Sequence, residues 1–94
     1  MKTKYTIKVT GTFKKSFKRC QRRGLDEAIF VEAVSILSQT GNLPSKYSPH
    51  PLSGNYKGCM ECHLQPDWLL IWKQDNEELI LILVDTGSHS DLFK

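Results

Sequence analysis

Four side chains combine proton chemistry with placement that could bring them together: His50, His63, Asp67 and His89. His63 and Asp67 stand on either side of a turn marked by Pro66, and the chain then enters Trp68-Leu69-Leu70-Ile71-Trp72, an apolar run with the length and aromatic content of a central strand. A buried strand that begins with titratable groups needs a reason, because an unpaired buried charge is strongly unfavourable. The turn is therefore expected to open onto a cleft. His50, held between Pro49 and Pro51, and His89, just after Thr86-Gly87-Ser88, come from separate connections that could reach the same cleft. A carboxylate beside an imidazole favours the protonated ring and fixes its orientation, which suits acid–base work near neutral pH.

The segment before the turn contains a competing pattern, Cys59-Met60-Glu61-Cys62-His63, which matches the C-x-x-C-H run of covalent haem attachment. Haem attachment of that kind belongs to exported proteins. The first residues, Met1-Lys2-Thr3-Lys4-Tyr5, have no apolar signal core. Strand alternation also puts Cys59 and Cys62 on opposite faces, and no second cysteine pair exists to complete a zinc site. Chance spacing accounts for the match, and neither a metal nor a cofactor is expected. The same alternation places Cys59, Glu61, His63 and Gln65 on one face and Met60, Cys62 and Leu64 on the core face. Trp68 reads either as a core anchor or as a platform for a stacked base, and the terminal Phe93 either as a core plug or as a second such platform.

Ninety-four residues make a single domain over 1–94, and 39% hydrophobic content with nine aromatics is ordinary for a folded chain. No apolar run approaches the roughly 20 residues that cross a bilayer. An odd count of three cysteines without an export signal reads as reduced thiols, and the expected location is the cytoplasm. The net charge of +3 hides an asymmetry: residues 1–23 hold nine Lys/Arg and no acid, whereas residues 24–94 hold four basic and ten acidic residues. Lys14, Lys15, Lys18, Arg19, Arg22 and Arg23 fall in this basic block. Its sign predicts a polyanionic partner, a nucleic acid or an acidic protein, over a merely solvated face.

These residues must be positioned by a small set of elements. Tyr5 to Thr10 alternates as a strand with one buried face. Thr12 reads as the N-cap of a helix with an apolar stripe of Phe13, Phe17 and Cys20, ended by Gly24. Asp26 caps a second helix that buries Ile29, Phe30, Ala33, Val34 and Leu37 and closes at Gly41. Residues 42–57, with Pro44, Pro49, Pro51 and Gly54, read as an ordered loop. Strands follow at 58–65, 68–73 and 79–84, with one short helical turn after Ser88 or Ser90. The fold class is α+β: a β-α-α-β-β-β order with a helical hairpin packed on a small, mainly antiparallel, four-stranded sheet.

The ordered motifs His50-Pro51-Leu52-x-Gly54, Gly58-x-x-Glu61-x-His63, Pro66-Asp67-Trp68-Leu69-Leu70-Ile71 and Thr86-Gly87-Ser88-His89-Ser90-Asp91-Leu92-Phe93 resemble the YafQ branch of the RelE superfamily of bacterial toxins. The resemblance is close over residues 48–94 and looser before. It implies a ribosome-dependent endoribonuclease that cuts messenger RNA, held inactive by a cognate antitoxin of the DinJ or RelB type with an acidic C-terminal segment. Operator DNA would be reached only through that antitoxin. It further implies His50, His63, Asp67 and His89 as catalytic residues, with Trp68 and Phe93 on the RNA and the basic first helix on ribosomal RNA. Attack of a ribose 2′-hydroxyl on the adjacent phosphorus needs a base, assigned to Asp67 or His50, and an acid, assigned to His89, with His63 orienting the phosphate. One position departs from the family pattern: the residue preceding Thr-Gly-x-His is often arginine, and here it is Asp85. A carboxylate there repels phosphate. Either a histidine cation or Lys57 takes over the task, or Asp85 turns away, or the enzyme is slow. The alternative function is an inactive homologue that serves only as an antitoxin-binding co-repressor.

Overall fold

The computed structural model describes residues 3–93; Lys2 of the basic block lies outside them. The first strand, β1 (Thr6–Val9), leads directly into helix α1 (Gly11–Arg22). Its N-cap is Thr10 rather than the expected Thr12: the Thr10 hydroxyl accepts the Phe13 N–H at 2.9 Å and donates to the Val84 carbonyl at 2.7 Å. That second bond, to a strand more than seventy residues away in sequence, is what selects Thr10 over its neighbour. As expected, Asp26 caps α2 (Glu27–Thr40) by accepting the Ala28 N–H at 3.0 Å. Gly41 ends it at φ 78°, and a Cβ on Gly41 would stand 2.6 Å from the Tyr5 hydroxyl, so both backbone and space require glycine.

The remaining strands are β2 (His50–Pro51), β3 (Met60–Gln65), β4 (Trp68–Asp75) and β5 (Ile80–Gly87), in the order β1-β5-β4-β3-β2. The sheet thus has five strands rather than the four expected. The extra one is the two-residue pair His50–Pro51, inside the predicted loop, aligned antiparallel with Glu61 and Met60. Two residues show no periodicity, and Pro51, which lacks an N–H, fits a sheet only at such an edge. The parallel pairing of β1 with β5 makes β1 the opposite edge. Here the expected buried face is reduced to Tyr5, just before the strand: every β1 residue is exposed, including Ile7 and Val9 at 40%, because α1 packs on β5 rather than over β1.

Between α1, α2 and the sheet lies the core. Phe13 of α1 stacks on Phe30 of α2 and Phe17 meets the same ring at a tilt, with Ala33, Val34 and Leu37 in one cluster with Trp68, Leu70, Trp72, Leu81 and Leu83. Central β4 is buried on both faces, as its unbroken apolar run predicts: Leu69, Leu70 and Ile71 are fully buried. Cys62 and Leu64 also point into this core, and burial pushes the Cys62 thiol up to about 12, an inert side chain rather than a haem attachment point. Trp68 is a core anchor, not an open stacking platform: it is 1% exposed, and its Nε1–H donates 2.9 Å to the Thr86 hydroxyl, which donates on to the Leu69 carbonyl at 2.6 Å. After β5, Ser88 caps the short helix α3 (His89–Leu92) through a reciprocal box with Asp91. Among the described residues no helix is long and apolar enough to cross a membrane.

Substituting Thr86→Val removes the acceptor of a fully buried indole N–H without changing side-chain shape. Urea unfolding should show a loss of about 1–3 kcal/mol, with an unchanged m-value.

Candidate active site

Residues paired across strands share a face, so the register writes the site onto the sheet. One row runs His50, Glu61, Ile71, Asp85 over β2, β3, β4 and β5; the neighbouring row runs His63, Leu69, Gly87 over β3 to β5. Leu69 and Ile71 form the buried floor. His50 and His63 stand above it with ring centroids 6.0 Å apart, and His89, at the start of α3, continues the line at 5.8 Å from His63. The three imidazoles expected to converge form one row.

Each end of the row carries a carboxylate. At the β2 edge His50 sets Nδ1 2.8 Å from the Ser48 carbonyl and Nε2 3.1 Å from Glu61 Oε1, while His63 Nε2 lies 3.8 Å from the same oxygen. His50 thus donates from Nδ1 to a carbonyl, which can only accept, and turns Nε2 toward the carboxylate. Glu61 is only 4% exposed, and its Oε2 is buried without a hydrogen-bond partner among the described residues. At the other end Asp67 Oδ1 accepts the His89 backbone N–H at 2.9 Å and lies 2.7 Å from His89 Nδ1. These two contacts, the backbone one foremost, hold the Asp67 carboxyl below its ordinary range. They make Asp67 a partner of His89 through its backbone N–H and Nδ1, with Nε2 the other ring nitrogen.

Glu61 and Tyr56 are functional candidates missed as site residues in the sequence. The signal for Glu61 was its place on the same strand face as His63. Tyr56, whose phenol is pushed up first by burial and then by nearby Asp85, meets the ring of Phe93 edge-on at 5.8 Å. Phe93 is 44% exposed and so presents an accessible aromatic face beside His89, rather than plugging the core. Asp85 stays on the site face, one oxygen held by the Thr86 N–H at 2.8 Å. Lys57, just before β3, is exposed. On α1, Lys14, Lys15, Lys18 and Arg22 are exposed, but Arg23 and Arg19 are engaged by Asp91, at 2.6 Å and 3.8 Å.

The fold that carries this row, a small β-rich sheet beside a helical hairpin, has known counterparts. The family described as "Bacterial toxin of type II toxin-antitoxin system, YafQ" matches residues 5–94. The chain belongs to the YafQ toxin family. It is 35% identical over 88 residues to the mRNA interferase toxin YafQ of Escherichia coli K12, covering 93% of this chain and 94% of that protein. YafQ in the crystal structure of the E. coli DinJ–YafQ toxin–antitoxin complex superimposes with a TM-score of 0.87 at 33% identity, covering 97% of this chain and 99% of that one. A metal-bound toxin from Helicobacter pylori gives 0.86 at 39% identity, over 95% and 99% of the two chains. For this YafQ-family member, His50, Glu61 and His63 bring three possible ligand atoms within 4.8 Å of one another. Two imidazole nitrogens and a carboxylate oxygen, the latter on a side chain with an orphaned second oxygen, are a donor set that borderline divalent metals accept.

The carboxylate of Asp91, held by Arg23 and then by the Ser88 N–H, lies far below its ordinary range. A group depressed on folding contributes stability above its unfolded pKa and loses it as pH falls through the folded value. Unfolding free energy should therefore decline below about pH 4, and Asp91→Asn should flatten that slope in urea melts run from neutral to acid pH.

Proposed function

We propose that this YafQ-family toxin is a ribosome-dependent endoribonuclease that cuts messenger RNA by proton transfer among its three imidazoles. The observation that carries the reading is the bracketed row: His50 with Glu61 at one end, His89 with Asp67 at the other, His63 between. In-line attack of a 2′-hydroxyl on phosphorus needs a base and an acid on opposite sides of the phosphate. His50 accepts the proton of the 2′-hydroxyl, and buried Glu61 stabilises the cation that forms. His63, at the middle, faces the non-bridging phosphate oxygens. His89 Nε2 delivers a proton to the departing 5′-oxygen, and Asp67 holds the ring, the role of an orienting carboxylate rather than of the base. The product carries a 2′,3′-cyclic phosphate.

Phe93, braced by Tyr56, offers a face for a splayed base, worth about 1–3 kcal/mol per stacked base. Lys14, Lys15, Lys18 and Arg22, exposed along α1, suit ribosomal RNA phosphates, which give affinity without sequence readout. The reaction is proposed to run without a metal: an ion on His50, Glu61 and His63 would occupy nitrogens that the proton transfers use. A DinJ-like antitoxin is the expected partner, operator DNA is reached through it, and the site of action is the cytoplasm.

Asp85 marks the weak point of the chemistry. A carboxylate on the site face opposes negative charge growing on the phosphate, where one well-placed donor is worth about 10²–10³ in rate. Incubating the purified toxin with programmed ribosomes and mapping cuts in the message tests the proposal. Wild type should cut, and His89→Ala should cut about 10²–10⁴-fold more slowly; a message left intact by wild type favours an antitoxin-binding homologue without activity. In the same assay Asp85→Arg should raise the rate, by on the order of tenfold or more.

A further inference from the structure

Arg23 is the C-cap residue of α1 and belongs, by charge, to the basic helix. Its guanidinium does something other than face solvent. Nη1 and Nη2 fork onto Asp91 at 2.6 Å and 3.1 Å, and Arg19 Nη2 adds a longer contact at 3.8 Å. Asp91 is 13% exposed at its side chain and also accepts the Ser88 N–H at 2.9 Å, closing the capping box of α3. Next to Ser88 in that box stands His89, whose backbone N–H and Nδ1 both meet Asp67. We propose that Arg23 is a positioning residue for the acid end of the site: through Asp91 it fixes α3 so that His89 reaches Asp67.

Three features support this. A helix of four residues does not hold itself together in water, so α3 needs an external anchor. A cavity of about 260 Å³, lined by Arg23, Leu25, Gln65, Asp67, Trp68 and Ser88, opens where the α1–α2 corner faces the start of α3. Side-chain packing is therefore incomplete there, and the ion pair reaches beside the gap. Finally, a Cβ on Gly87 would stand 2.8 Å from Asp91 Oδ2, so the strand end lies tightly under this carboxylate. Most exposed ion pairs contribute little, but a bidentate fork onto a largely buried carboxylate is the geometry in which one does. Arg23 is then a brace inside the toxin, and the phosphate-facing part of α1 is left to its lysines and Arg22.

The inference rests on the ribonuclease reading only for the role of His89, and two measurements keep them apart. Carbon-13 NMR of Asp67, on the free toxin, follows the pH at which that carboxyl titrates; single-turnover cleavage on programmed ribosomes at saturating toxin follows the chemistry. In Arg23→Gln the Asp67 midpoint should rise toward the ordinary carboxylate range; in Asp91→Asn it should rise less, because a neighbouring negative charge is lost as well, and in both cleavage should slow by on the order of tenfold. The amide introduced by Asp91→Asn still offers an oxygen to the Ser88 N–H, so that variant removes the charge pair while keeping the cap. The double variant should be no worse than either single one. An Asp67 midpoint unmoved in both single variants overturns the proposal. So does a slow Arg23→Gln beside a normal Asp91→Asn, which would make Arg23 an RNA contact, since loss of an acid cannot weaken phosphate binding. If wild type cuts no message, the ribonuclease reading fails while the Asp67 titration still decides the brace.

Discussion

A carboxylate buried away from lysine and arginine must draw its compensation from whatever protons its neighbours can supply. Glu61 is in that position among the described residues. It lies in the middle of the sheet face, one oxygen shared between two imidazoles and the other unpartnered. Its burial would be unfavourable with neutral apolar neighbours, so its placement and that of the His50 and His63 rings are bound together. The site follows from this coupling. Two histidines are held close without being locked, because only His50 is within hydrogen-bond reach and His63 stands further off.

The sheet exists to make that coupling possible. Central β4 contributes an all-apolar floor, and β3 alternates so that Cys62 and Leu64 enter the core while Glu61 and His63 rise from the other face. His50 joins them because a two-residue strand aligns it directly with Glu61. The opposite end is built by different means. There His89 is carried on a single helical turn after the last strand, and its place depends on Asp67 from the β3–β4 turn and on the link from α1 to Asp91. One end of the row is thus set by backbone ladder bonds and the other by side-chain charge. Variation in rate among related chains should fall mainly on the second.

Charge on the chain divides once it is placed. On α1 and its C-cap the basic residues split into Lys14, Lys15, Lys18 and Arg22, which are exposed, and Arg19 and Arg23, taken up by Asp91. Asp85 stands against this trend. It sits on the same sheet face as His50 and Glu61, and its bond to the Thr86 N–H occupies one of its two oxygens without removing its charge.

Local pattern determined a good deal. The α+β class, both helices and their buried faces, the Asp26 and Gly41 caps, the central strand and the alternation of β3 all follow from periodicity and capping chemistry, which act over a few residues. The three histidines and Asp67 were legible as candidates because their types are rare and their settings unusual. What the tertiary structure alone decided depends on contacts between residues far apart in sequence. Thr10 rather than Thr12 caps α1 because Val84 is there to receive its hydroxyl; Trp68 is buried because Thr86 accepts its N–H; β1 stays exposed because α1 lies over β5. Asp67 meets His89, Glu61 joins the histidines and Arg23 forks onto Asp91 for the same reason. A side chain's partner is chosen by the register of the sheet and the crossing of the helix, and neither is written in any window of neighbouring residues.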